Sequence, residues 1–99
     1  MRLRHGDIVL INTIYRRRKK LEWNGYTNVR KKFWMPVPIP ARTGIYLGTR
    51  TLCNGITEWE DEVGNVFIPE REGYIKALLV SFSTNENPVY APYDESVHA

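Results

Sequence analysis

Ninety-nine residues, 42% of them hydrophobic and 25% charged, define one domain with room for one core. The lone cysteine, Cys53, excludes an intrachain disulfide and a cysteine-based metal cluster, and it suits a reducing cytoplasm. The net charge of +3 hides a division: residues 1–50 hold twelve Lys/Arg against Asp7 and Glu22, net +10, while residues 51–99 hold Arg71 and Lys76 against nine acids, net −7. Such asymmetry marks either an interaction surface or two halves that neutralise each other on folding.

The basic opening Met1-Arg-Leu-Arg-His-Gly-Asp7 has the charge of a signal peptide. The apolar run behind it, Ile8–Ile11, is far short of the roughly 20 residues of a membrane span and too short for a signal core. Neither secretion nor membrane insertion is expected. Ile8-Val-Leu-Ile-Asn-Thr-Ile14 is β-branched and apolar and predicts a buried first strand.

Tyr15 to Met35 is charged and aromatic, with a turn signal at Asn24-Gly25. A connection this long is commonly functional. The turn signal favours a protruding hairpin over residues 15–35, with arms Arg16–Trp23 and Tyr26–Trp34. In Met35-Pro-Val-Pro-Ile-Pro40, prolines at alternate positions predict an edge strand or extended strut bracing the return of the hairpin.

Arg42–Leu52 predicts a second core strand, with bends or close backbone approach at Gly44 and Gly48. Asn54-Gly55, flanked by strand formers, predicts a tight hairpin turn into Ile56–Glu62. Further turns are expected at Gly64-Asn65 and at Pro69–Gly73. Tyr74–Phe82 is the longest apolar segment, and its β-branched and aromatic content favours a strand over a buried helix. Val89–Ala91 predicts a short closing strand, and residues 94–99 a flexible tail.

Five or six short strands with turns about every 8–12 residues predict an all-β small barrel or sandwich in a single domain, 1–99. The order resembles SH3-like barrels, and Gly6-Asp7-Ile-Val-Leu10, Arg42-Thr-Gly-Ile-Tyr-Leu-Gly48 and Leu78-Leu-Val-Ser-Phe82 carry the likeness. It covers about three-quarters of the chain and implies a barrel with the long basic hairpin inserted after its first strand. The acidic-aromatic pattern of peptide-binding SH3 domains is missing, and the prolines lack PxxP spacing, so a proline-peptide ligand is not implied. The fold alone assigns no function.

Chemistry concentrates in Tyr15–Trp34, which holds eight basic residues, one acid and five aromatics. Lys and Arg neutralise phosphates, and aromatic or guanidinium planes stack on bases. The candidate ligand-binding residues are Arg16, Arg17, Arg18, Lys19, Lys20, Trp23, Tyr26, Arg30, Lys31, Lys32 and Trp34. Nucleic acid or a nucleotide-like anion is the expected partner. Two alternatives stand beside it. In one the segment is a solvated hairpin whose rings pack on the body; in the other it docks on a larger protein with an acidic surface.

Glu58, Glu60 and Glu62 share one face of a strand by alternation. An edge-protecting charged face or a complement to the basic loop is the plainer reading, so no metal site is assigned. His5 and His98 stand apart, Cys53 has no histidine near it in sequence, and Ser81 and Ser83 have no attached base. With no phosphate loop and no zinc spacing, no enzyme activity and no cofactor are expected. The chain also resembles the short accessory proteins of bacteriophages. That likeness implies an inhibitor or adaptor that docks on a host protein or sequesters a nucleotide signal. A structural or assembly protein using the Pro36–Pro40 edge for oligomer contacts is a third, separate reading.

Overall fold

The computed structural model describes residues 2–23, 25–26, 28–60 and 62–99. Among them the chain is all-β. The strands are β1 (Ile8–Trp23), β2 (Asn28–Glu60), β3 (Gly64–Ser81) and β4 (Val89–Pro92), followed by one 3-10 turn, η1 (Glu95–Val97). Four strands replace the expected five or six because the anticipated breaks are absorbed into continuous strands. β2 runs for 33 residues through Pro36, Pro38, Pro40, Gly44 and Gly48. β3 likewise runs through Pro69–Gly73, where a turn was expected. Within that stretch Glu72 has a φ of 62°. A single left-handed residue inside a continuous strand is the mark of a bulge, which bends a strand without ending it.

The chain divides into two compact units. The first comprises the N-terminal residues up to Arg16, Pro36–Thr51 and Lys76–Ala99. In this unit β4 pairs antiparallel with β3, Leu78 opposite Ala91 and Val80 opposite Val89, and with β1, Tyr15 opposite Tyr90. The strand order β1-β2-β3-β4 therefore closes on itself.

The core of this unit gathers Val9, Ile11, Ile14, Tyr46, Leu78 and Val80, with Ile39, Phe82, Val89 and Val97 packed against it. Val9, Leu78 and Val80 have no exposed surface. Full burial of such side chains stabilises by about 1.5–3 kcal/mol each. The run Tyr74–Phe82 is strand through Ser81, as its β-branched content predicts. Gly44 lets β2 approach β3 closely: a Cβ there would lie 2.5 Å from Val80 Cγ1.

The Gly6-Asp7 lead-in is tied to β2 by two backbone bonds, Gly6 N–H to Tyr46 O at 2.8 Å and Tyr46 N–H to Asp7 O at 2.9 Å. Residues 94–99, expected as a flexible tail, instead carry η1 and return to β1. Asp94 caps η1 by accepting from Ser96 N–H at 2.9 Å. The Ala99 amide donates to Ile8 O at 2.9 Å, and His98 bridges to Val9.

The second unit comprises Arg17–Met35 and Leu52–Ile75. The basic and acidic segments of the sequence thus fold into one unit. Its buried hydrophobic side chains among the described residues are Val29 and Leu52. No helix among the described residues is long and apolar enough to cross a membrane.

Candidate basic-aromatic site

The first arm is the end of β1, where five consecutive cations are followed by Leu21, Glu22 and Trp23. Alternation sends Arg17, Lys19, Leu21 and Trp23 to one face and Arg18, Lys20 and Glu22 to the other. All of Arg16–Trp23 are exposed. Arg16 belongs to the first unit and Arg17–Trp23 to the second. An unbroken cationic strand is tolerable only with its charges in water or beside an anion.

The second arm is the start of β2. Val29 is buried, Arg30 is exposed, and Lys31, Lys32, Phe33 and Trp34 are half-buried. The expected turn residue Asn24 lies outside the described residues. Its neighbour Gly25 has a φ of 100°, the left-handed backbone that a tight connection between two arms requires of a glycine.

The arms bring two groups together. The Arg17 guanidinium lies over the Trp34 ring, 5.2 Å from its centroid, within cation–π range. Lys19, Lys20, Leu21 and Arg30 line a shallow groove of about 300 Å³. Three cations around one apolar side chain suit an anion attached to a flat or apolar body better than a bare ion. Trp23 and Tyr26 are not part of either group, and both are strongly exposed, 64% and 90%.

Sequence reasoning misplaced Asn54-Gly55. The pair forms no hairpin turn: β2 continues through it to Glu60. Asn54 Oδ1 accepts the backbone N–H of Trp34 at 2.8 Å, fastening the second arm of the basic segment to the 52–60 stretch. Gly55 is needed for close approach, since a Cβ there would overlap the Ile68 carbonyl oxygen and the Phe67 ring. The turn that reverses the acidic segment comes later, at Glu62 and Val63, with Gly64 at a φ of 81°.

Sequence reasoning also did not single out Asn54 as a supporting residue. The signal available was an asparagine among β-branched and aromatic neighbours, a pattern that a turn and a cross-strand bond share.

Direct neutralisation of the basic arms within the chain does not occur among the described residues. An ion pair there joins Arg42 to Glu86 at 3.3 Å, and His98 Nε2 lies 3.4 Å from Asp7 Oδ2, both in the first unit. Arg42 also stacks on Phe82, 4.2 Å from its centroid. Among the described residues no ion pair joins the cations of the arms to Glu58 or Glu62.

The side chain of Glu60 lies outside the described residues, and the expected three-carboxylate face lies outside them with it. No group of three His, Cys, Asp or Glu among the described residues is placed to hold a metal ion. The Asp94 carboxylate is held below its ordinary value by hydrogen bonds from Ser96. It lies in the first unit. Comparison with protein-family models, characterised proteins and solved structures finds no match.

Proposed function

We propose that the chain is a non-enzymatic binding module, an SH3-like small barrel that engages a polyanion through its basic arms. Nucleic acid or a nucleotide-type ligand is the favoured partner. The observation that carries this reading is the open groove of Lys19, Lys20, Leu21 and Arg30, on the same two arms that carry the Arg17–Trp34 stack. Cations there would take phosphates, and the exposed rings of Trp23 and Tyr26 would take bases. A reducing cytoplasm, which the single thiol of Cys53 suits, is the compartment where such ligands are met.

The test is fluorescence anisotropy with labelled single-stranded RNA, single-stranded DNA, duplex DNA and free nucleotides across a salt series. Engagement of Lys19, Lys20 and Arg30 together with Arg17 and Arg18 gives a log–log salt slope of about −3 to −4 for a single strand. Absence of binding to every probe at about 50 mM salt, where screening is weak, overturns the reading.

A second reading follows from the exposure of Leu21, Trp23 and Tyr26, which is large for side chains that only support a phosphate contact. In it the same arms dock on the acidic surface of a larger protein, as an inhibitor or adaptor of the bacteriophage type would. A complex captured from bacterial lysate that survives nuclease treatment, with no oligonucleotide binding, supports this reading over the first.

A further inference from the structure

Residues 94–99 return along β1 as a strap that is fastened at both ends and loosely seated between them. At its root Tyr93 lies against the Lys76 ammonium, 4.0 Å from the ring centroid, and its hydroxyl donates to Glu95 Oε1 at 3.1 Å. At its tip the Ala99 amide donates to Ile8 O at 2.9 Å, and His98 Nε2 lies 3.4 Å from Asp7 Oδ2. In between, η1 buries no residue, although Val97 packs against the core. Two open hollows flank this middle part, one of about 390 Å³ and one of about 210 Å³, and Asn12, Asp94 and Val97 line both. A segment lying beside unfilled space gives up few contacts when it lifts.

Asp7 holds more than the strap. The oxygen that faces His98, Oδ2, also accepts the Arg4 amide at 2.8 Å. One carboxylate oxygen therefore serves the N-terminal lead-in and the strap together. The lead-in is held in addition by the backbone bonds of Gly6 and Asp7 to Tyr46, so it stays in place when the strap leaves. Asp7 and His98 are each about a quarter exposed, and water weakens their attraction less than it would on an open surface.

We propose that residues 94–99 open and close over β1 while the core of the first unit stays folded, and that Asp7 Oδ2 is the clasp. Opening parts His98 from Asp7 and frees the Ile8 carbonyl, while Arg4 keeps its bond to the same carboxylate. None of these residues belongs to the basic arms of the proposed polyanion site.

Amide hydrogen exchange on the full chain, followed residue by residue by NMR at constant pH, tests it. The Ala99 amide is expected to be protected, yet by at least about tenfold less than the amides of Leu78 and Val80. His98→Ala raises the Ala99 rate by about fivefold, the weight of one hydrogen bond, and leaves Arg4, Leu78 and Val80 unchanged. Asp7→Ala raises the rates of Ala99 and Arg4 together.

An Ala99 amide as protected as those of Leu78 and Val80 means that the strap leaves only with the whole fold, and it overturns the proposal. An Ala99 amide with no protection does the same, since no closed state then exists. So does a His98→Ala chain in which Ala99 keeps its rate, or in which Leu78 and Val80 accelerate by the same factor. Acceleration of Ala99 without Arg4 in Asp7→Ala overturns the shared clasp. Should Asp7→Ala fail to fold, as far-UV circular dichroism would reveal, His98→Ala decides alone.

Discussion

Arg17 on the first basic arm stacks over Trp34 on the second, the guanidinium 5.2 Å from the ring centroid. The backbone amide of the same tryptophan is anchored to Asn54 Oδ1. A cation is thereby parked on a ring whose main chain is fixed, and this orients the arginine without neutralising it. Arg17→Ala removes about 0.5–1 kcal/mol of cation–π attraction and shifts the indole emission. Arg17→Lys, keeping charge but losing the planar group, retains part of the polyanion affinity. Titration of both variants against single-stranded oligonucleotide separates stacking from charge.

Asn54→Ala takes away the acceptor for the Trp34 amide in a half-buried position. The expected loss is about 1–2 kcal/mol in urea unfolding. Asn54→Asp keeps an oxygen at the same place and is expected to retain most of the stability.

Gly55→Ala and Gly25→Ala distinguish two reasons for a glycine. At Gly55 the added methyl meets the Ile68 carbonyl and the Phe67 ring, an overpacking that costs about 1–3 kcal/mol. At Gly25 nothing lies within 4 Å, so only the φ of 100° opposes the change. That strain costs about 1 kcal/mol. Thermal melts of the two variants should therefore differ, with Gly55→Ala the lower.

The η1 cap has a defined pH signature. The Asp94 carboxylate titrates below its ordinary 3.8 because Ser96 donates to it. A depressed folded value means that the contribution is complete above the ordinary carboxylate range and is lost as pH falls through the lowered value. The Ser96 amide resonance should follow this titration with a midpoint below 3.8. Asp94→Asn should flatten the response.

Much of the first unit was legible in the sequence. β-branched runs at Ile8–Ile14 and Tyr74–Phe82 named the strands that carry Val9, Ile11, Leu78 and Val80, because burial on a pleated face selects those residue types. Strand count was not legible. Prolines and glycines punctuate a sequence, but a long strand can bend at them and keep its pairing. Asn54-Gly55 failed for a related reason. Glycine serves positive φ and close approach equally, and only the tertiary neighbours Phe67 and Ile68 reveal which is in use.

The basic cluster was legible residue by residue, from Arg16 to Trp34. Its pairing of Arg17 with Trp34 and its shared unit with the acidic segment were not, because both depend on contacts between residues far apart in sequence.

β2 passes through both units, while the Val9–Leu78–Val80 cluster belongs to one of them. Free energies of opening along this single strand are accordingly uneven. Amide protons at Tyr46 should exchange with deuterium only on global unfolding, whereas those flanking Val29 and Leu52 should exchange through partial openings at lower cost. The arms are thus the portion of the chain whose order a partner would tune, and an exchange map would register that partner first in the two ends of β2.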